Sequence, residues 1–339
     1  GGLNEIRTTI PKAAVQEVTD KGINALTLST PVADITFDKN AISTISRQAT
    51  EDVKIAAKKI DIETLDESIR QTIGDRPVFN FNVTSGDKTI SEFGGNVEIS
   101  VPYTPKDGED TNAIVIYYIN AEGKVEVISN CHYDSKTGTV KFKTDHFSKY
   151  AVGYNKVIFV DVPENSPYSK AVGFVAARGI TLGTGNGKYS PDLKLTRAQL
   201  LVMIMRAYGI RSDEDIKDNF ADAGDTYYTG YLAAAKRLGI SNGVGNNKFA
   251  PDLEISKQEM VTLIYNILKL LDELPDDSKQ NLEFIDFVVG SESIASWAKE
   301  AMLVFMQNEY VNGIEYGLSP AEIANRVQLA QVIYEVLTK

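Results

Sequence analysis

Three cations stand in the same local setting: Arg197 in Thr196-Arg-Ala-Gln199, Lys257 in Ser256-Lys-Gln-Glu259 and Arg326 in Asn325-Arg-Val-Gln328. Each tetrapeptide opens on a side chain that can accept a hydrogen bond and closes three positions later on Gln or Glu, with an apolar run behind it. That is a capping box: the cap side chain accepts from the N3 amide, and the N3 side chain reaches back. Each box contributes on the order of 1 kcal/mol to starting its helix. A cation at the first helical residue faces the positive end of the helix dipole and is locally unfavourable. Its threefold recurrence therefore asks for a use. A cation beside free backbone N–H groups makes an anion site, so the expected chemistry is recognition of an anion rather than catalysis. Arg offers a bidentate fork and Lys a point charge. The competing reading is a solvated surface cation.

Sites of this kind need a repeated scaffold, and the second half of the chain reads as one. Phe159-Val-Asp161 recurs as Phe220-Ala-Asp222 and as Phe284-Ile-Asp286, each followed by an alanine-rich apolar helix pattern. Corresponding turns carry Gly183, Gly243 and Gly313; Pro191, Pro251 and Pro320 follow, and a box stands five residues beyond each proline. Recurrence with matched internal offsets is the mark of a repeat array. The helices behind the boxes are amphipathic, as Leu200, Met203, Ile204 and Ala207 show. The expected units are residues 157–212, 213–277 and 278–339. Residues 1–156 have a different period. Phe79, Phe81 and Val83 alternate with polar residues, as do Val97, Ile99 and Val101, and Ile114–Ile119 is rich in β-formers. The stretch from Tyr133 to Gly138 reads as a hairpin loop, and Ala41–Thr50 and Leu65–Ile73 have helical spacing. The fold class expected is α+β: a β-rich domain over 1–156, then an all-α part.

Composition narrows the function. Of 339 residues, 43% are hydrophobic and 24% charged, ordinary for a globular protein. The net charge of −11 repels polyanions and argues against nucleic acid or anionic lipid as the main partner. Cys131 is the single cysteine, which rules out an intramolecular disulfide and a thiolate metal site. His132 and His146 are the only histidines, so neither a histidine metal site nor a Ser-His-Asp triad has support, and no metal or cofactor is expected. No apolar run approaches the ~20 residues that span a bilayer. The opening Gly1-Gly2-Leu3 reads as a mature product or a fragment. The clusters Gly183-Thr-Gly185-Asn-Gly187 and Gly243-Val-Gly245 lack the Lys-Ser/Thr of a phosphate loop, and Asp213–Asp225 lacks the register of a calcium loop.

From Phe159 to the C-terminus the chain resembles the S-layer homology repeats of bacterial surface proteins. The resemblance rests on the Phe-x-Asp openings, an aromatic on the first helix (Tyr168, Tyr227, Trp297), the glycine turns, Ser190-Pro-Asp192, Ala250-Pro-Asp252 and the boxes. It implies three repeats in a spindle-like pseudo-threefold arrangement, with grooves that bind a secondary cell-wall polysaccharide, often capped by a pyruvylated sugar. It also implies that Arg197, Lys257 and Arg326 pair with the sugar carboxylate and that Gly183 and Gly243 bring backbone close to it. Trp297 is either a stacking platform for sugar or a core anchor. The sequence departs from the pattern: Gln199 and Gln328 replace the box glutamate, Glu309 replaces the glycine matched by Gly179 and Gly239, and the loop Glu315–Pro320 is shorter and lacks the Pro-Asp pair. This ranks the first groove first and leaves the third as a structural one.

Phe93-Gly94-Gly95, Val101-Pro102-Tyr103 and His146-Phe-Ser-Lys-Tyr150 look like a β-rich module commonly found upstream of such repeats, with a spacer or assembly role. His146-Phe147-Ser148 also resembles the self-cleaving tripeptide of ZU5-type domains, where serine attacks the preceding carbonyl. The function expected is non-covalent anchoring of a surface protein or exoenzyme to an anionic wall polysaccharide outside the cell. The rivals are a lattice-forming S-layer protein that self-associates and a domain cleaving itself at Phe147-Ser148.

Overall fold

The computed structural model describes residues 4–275, 293–311 and 319–339. Phe284-Ile-Asp286, Gly313 and the Glu315–Leu318 part of the third loop lie outside the described residues. The chain divides into two compact units, Gly1–Lys156 and Val157–Lys339.

In chain order the first unit runs β1 (Glu5–Ile10), α1 (Lys12–Asp20), β2 (Ala25–Ser29), β3 (Asp34–Asp38), α2 (Lys39–Gln48), β4 (Val53–Ile60) and α3 (Glu67–Ile73). It continues with β5 (Val78–Ser85), β6 (Lys88–Thr89), β7 (Glu92–Pro102), β8 (Ile114–Ile119), β9 (Val125–Ile128), β10 (His132–Asp134), β11 (Thr139–His146) and β12 (Lys149–Tyr154). One sheet has the order β1-β4-β5-β12-β8-β9 with β6 on β5; the other has β10-β11-β7-β3-β2, and all the pairings are antiparallel. Rings from both sheets meet between them: Phe37, Phe93 and Phe142 from one, Phe81 and Tyr150 from the other, with Phe147 in the middle. Edge-to-face pairs of this kind add to the area they bury.

Alternation explains the strands. Phe79, Phe81 and Val83 are buried while Asn80, Asn82 and Thr84 are partly exposed, as a sheet with one solvated face requires. The Gly94-Gly95 pair has a local cause. Asp38 caps α2 by accepting from Ala41 N at 2.7 Å and holds Asn96 N at 2.8 Å, and a Cβ on Gly95 would overlap both Ala41 N and the Asp38 carboxylate. The helix α1 follows Pro11 and buries Val15.

His146-Phe147-Ser148 sits where β11 gives way to β12, with the register shifting between Thr144 and His146. The His146 carbonyl accepts from Tyr150 Oη at 2.8 Å and Thr144 Oγ1 at 3.0 Å. The Ser148 hydroxyl donates to the Ile119 carbonyl at 3.3 Å, while His146 Nδ1 faces Asp145 at 2.8 Å and Nε2 has no hydrogen-bond partner among the described residues. The histidine and serine are thus not joined in a relay here, and the tripeptide closes a bulged corner whose Phe147 fills the core.

The second unit contains α4 (Ser169–Ala177), α5 (Arg197–Ala207), α6 (Thr229–Arg237), α7 (Lys257–Leu270), α8 (Lys299–Gln307) and α9 (Arg326–Thr338). The packing pairs are α4 on α9, α6 on α5 and α8 on α7, around one continuous apolar core. The helices α4, α6 and α8 end alike. Ile180 N donates to Val175 O at 3.1 Å, Ile240 N to Ala235 O at 2.9 Å and Tyr310 N to Phe305 O at 2.9 Å. Each is a Schellman turn whose preceding residue is left-handed: Gly179 at φ 66°, Gly239 at φ 71° and Glu309 at φ 58°.

Candidate functional site: the junctions between helical segments

All three capping boxes close. Thr196 N donates to Gln199 Oε1 at 3.2 Å, Ser256 N to Glu259 Oε2 at 2.9 Å and Asn325 N to Gln328 Oε1 at 3.1 Å, and each N3 amide donates back to its cap. The free N–H groups expected beside the cations are not there. Arg197 N donates to Leu253 O and Ala198 N to Pro251 O; Lys257 N donates to Glu322 O and Gln258 N to Pro320 O; Arg326 N donates to Leu193 O and Val327 N to Pro191 O. Three more bonds, Leu195 N to Ala324 O, Ile255 N to Leu195 O and Ala324 N to Ile255 O, join the same strips. The segments around 193–198, 253–258 and 322–327 therefore close a ring of backbone hydrogen bonds. The reason is burial: helix starts at the centre of a core must give every amide a partner, and the neighbouring strip supplies it.

The cations are not solvated either. Arg197, Lys257 and Arg326 are 5%, 5% and 7% exposed. Arg197 lies over the Phe249 ring, 4.8 Å from its centroid, and its Nε donates to the Phe249 carbonyl at 2.8 Å. Arg326 does the same one junction on, 4.8 Å over Tyr189 with Nε 2.8 Å from the Tyr189 carbonyl, and a further nitrogen reaches Thr181 Oγ1 at 2.8 Å. Stacking plus a fork explains why two of these cations are Arg. Their charge partners differ. Arg197 pairs with Glu259 and Lys257 with Glu322, whereas among the described residues Arg326 bonds only neutral oxygens. Burial pulls the Arg197 guanidinium below its ordinary pKa, and Glu259 and Asp222 work the other way. The Glu322 carboxyl is held below the usual range by its hydrogen bond from Lys257.

The aspartates of the Phe-x-Asp openings shape the loops that meet these cations. Asp161 accepts from Tyr189 N and Ser190 N, both at 2.8 Å, and Asp222 accepts from Phe249 N and Ala250 N, also at 2.8 Å. Burial would raise both carboxyls, but the paired amides outweigh it and hold them below the ordinary range. The clamp keeps Ser190 at φ 58° and Ala250 at φ 59°, a region costly for residues with a Cβ. Sequence reasoning missed Tyr189, Phe249 and Thr181 as partners of the cations; the aromatic two residues before each Pro-Asp was the available signal.

Gly183 and Gly243 have φ of 79° and 75°, and a Cβ on either would overlap the carbonyl of Lys188 or Lys248 and the ring of Phe159 or Phe220. What comes close to these glycines is their own loop. Trp297 lies in a short 3-10 turn, Ser296–Ala298, and is 55% exposed, so the core-anchor reading fails; Tyr227, also one residue before a helix cap, is 62% exposed. Tyr168 is itself the cap residue of α4 and is packed against the core.

Comparison with known proteins covers the first two boxes. The S-layer homology domain model matches residues 158–201 and 219–261. Relatives include an amylopullulanase of Thermoanaerobacterium thermosulfurigenes, 28% identical over 75% of this chain and 14% of its own length. That alignment, 261 residues long, exceeds the second unit and takes in part of the first. The S-layer protein sap of Bacillus anthracis is 25% identical over 52% of this chain and 20% of its own, and a cell surface protein of Thermoanaerobacter kivui is 32% identical over 37% and 17%. The chain thus spans a fifth or less of these relatives' lengths. It carries two S-layer homology domains, at residues 158–201 and 219–261, and is a protein of the cell surface.

Proposed function

We propose that the second unit is a non-covalent anchor that holds a larger surface protein to an anionic secondary cell-wall polysaccharide, with a pyruvyl-type carboxylate as the group recognised. In this reading residues 157–212, 213–277 and 278–339 are three repeats in a pseudo-threefold arrangement. The ring of boxes, the matching ends of α4, α6 and α8 and the rotation of helix partners support a third unit beyond the two matched domains. Ligand meets the molecule at the junctions, with the loops at Gly183 and Gly243 as walls and Trp297 and Tyr227 as exposed stacking faces.

The observation that carries the reading is Arg326: a guanidinium buried to 7% exposure, bonded to a carbonyl and a hydroxyl and to no carboxylate among the described residues. An uncompensated buried charge is costly and favours a counter-anion at that place. This reverses the ranking drawn from the sequence, which favoured the groove at Arg197; there Glu259 already occupies the charge. Relatives named both as an enzyme and as S-layer proteins favour the anchor as the shared element over lattice formation. The test is co-sedimentation of the full chain with purified wall sacculi, with and without their pyruvyl groups. Removing those groups or introducing Arg326→Gln is expected to weaken binding about tenfold or more, the loss of one charge-assisted contact. Equal binding by all three combinations defeats the proposal.

A further inference from the structure

The outer face of the first unit's larger sheet is divided. At one end α3 lies on it, and Leu65, Ile69 and Ile73 pack with Val78, Ile119 and Ala151 into a small apolar cluster. The other end is bare. Register sets three rows there: Glu5, Lys58, Asn80 and Lys149; then Arg7, Ala56 and Asn82; then Thr9, Lys54 and Thr84. The small Ala56 between longer neighbours leaves a trough of 390 Å3, lined from these rows by Glu5, Arg7, Lys54, Lys58, Asn80, Asn82 and Thr84.

We propose that this open half-face is a binding surface for an acidic polysaccharide, separate from the junctions of the second unit. Charge is the first argument. The chain carries −11 overall, yet four cations meet here against the single Glu5, which pairs with Arg7 at 2.6 Å. A solvated sheet face ordinarily mixes its signs. Lysines on an edge strand would serve to block edge pairing. Lys54 and Lys58, however, lie on β4, which is paired on both sides by β1 and β5. Chemistry is the second argument. The Asn80 and Asn82 amides and the Thr84 hydroxyl offer donors and acceptors suited to sugar hydroxyls, and Arg7, Lys54 and Lys58 suit carboxylates. A protein partner fits poorly, because interface cores are depleted in Lys and anchored by aromatic or Arg hot spots seated in pockets, and this face has no aromatic side chain among its rows. Single-stranded nucleic acid would also need aromatic platforms.

The experiment is affinity electrophoresis of the full chain in native gels containing polygalacturonate, with neutral dextran as control. Wild type is expected to be retarded by polygalacturonate and not by dextran. The triple variant Arg7→Ala/Lys54→Ala/Lys58→Ala should bind about tenfold more weakly, the sum of three exposed charge contacts. Lys58→Glu, a single exposed change, should weaken binding in the same direction, and unchanged thermal melts establish that both variants fold. Wild-type retardation by the triple variant, or no retardation of wild type, overturns the proposal. Arg326→Gln separates this result from the anchor reading: it should weaken binding to sacculi yet keep the component of polygalacturonate retardation that the triple variant removes.

Discussion

Arg197 and Arg326 show how one residue type can serve two ends at once. Each guanidinium stacks on an aromatic and bonds that residue's own carbonyl, so it ties the start of one helix to the loop of a neighbouring segment. Any ligand role is added to that structural one, which is why conservative changes such as Arg326→Gln are better probes than truncation to alanine. Glu309 makes a second residue-scale point. It holds φ 58° at the place where Gly179 and Gly239 stand at 66° and 71°. A side chain in that conformation costs about 1 kcal/mol. Its ion pair with Lys339, at 3.7 Å on the surface, returns little. Glu309→Gly is therefore expected to stabilise the second unit and raise its Tm by about 2 °C. A melt at or below the wild-type temperature would show that the turn carries no strain.

At the scale of elements, the loops before the first two boxes are held by a carboxylate in addition to their own turn hydrogen bonds. Asp222 receives two amides, and Phe249 and Ala250 are thereby placed under Arg197. Asn at position 222 would have to turn an NH2 group toward one of those N–H donors, setting donor against donor. Asp222→Asn should cost about 2 kcal/mol, the worth of one charge-assisted hydrogen bond, seen as an earlier urea midpoint. It should also release Ala250 from its left-handed conformation, seen as faster amide exchange at Phe249 and Ala250. Protection equal to wild type at those two amides would show that the clamp is not what holds the loop.

For the whole molecule, titration brackets stability on both sides. Burial pushes the Tyr103 phenol up to about 12, with the Glu109 carboxylate adding to the shift, and burial also raises Tyr150 in the first unit and Tyr189 and Tyr208 in the second. A group raised on folding stabilises below its ordinary pKa, so this contribution is intact below pH 10.0 and is lost as pH climbs toward about 12. Asp161 and Asp222 are held low by backbone amides, and Glu109 by Tyr103 and Arg76, in each case against the effect of burial. Their contribution is present above the ordinary carboxylate range and lost as pH falls through the depressed values. Denaturation midpoints should be flat from about pH 5 to about pH 9 and fall on either side, with phenolate absorbance appearing together with the alkaline loss of structure. Phenolate forming well before unfolding would contradict the tyrosine assignment.

Much of this was written locally. Capping boxes, the period-2 strands and the recurrence of Phe-x-Asp, glycine turn and proline depend on neighbours a few residues apart, and the sequence alone determined them. The N1 cations could be found in the same way, but not their surroundings. Whether Arg197 N meets water or Leu253 O, and whether a guanidinium faces Glu259 or the neutral oxygens of Tyr189 and Thr181, depends on residues tens of positions away brought together by closing the ring. The sequence could also not show that Lys54, Lys58 and Arg7 share one face, since strand register, decided by packing of the opposite face, puts them there. Spacing along the chain records short-range physics, whereas charge compensation is settled by long-range contacts, and those exist only in the folded molecule.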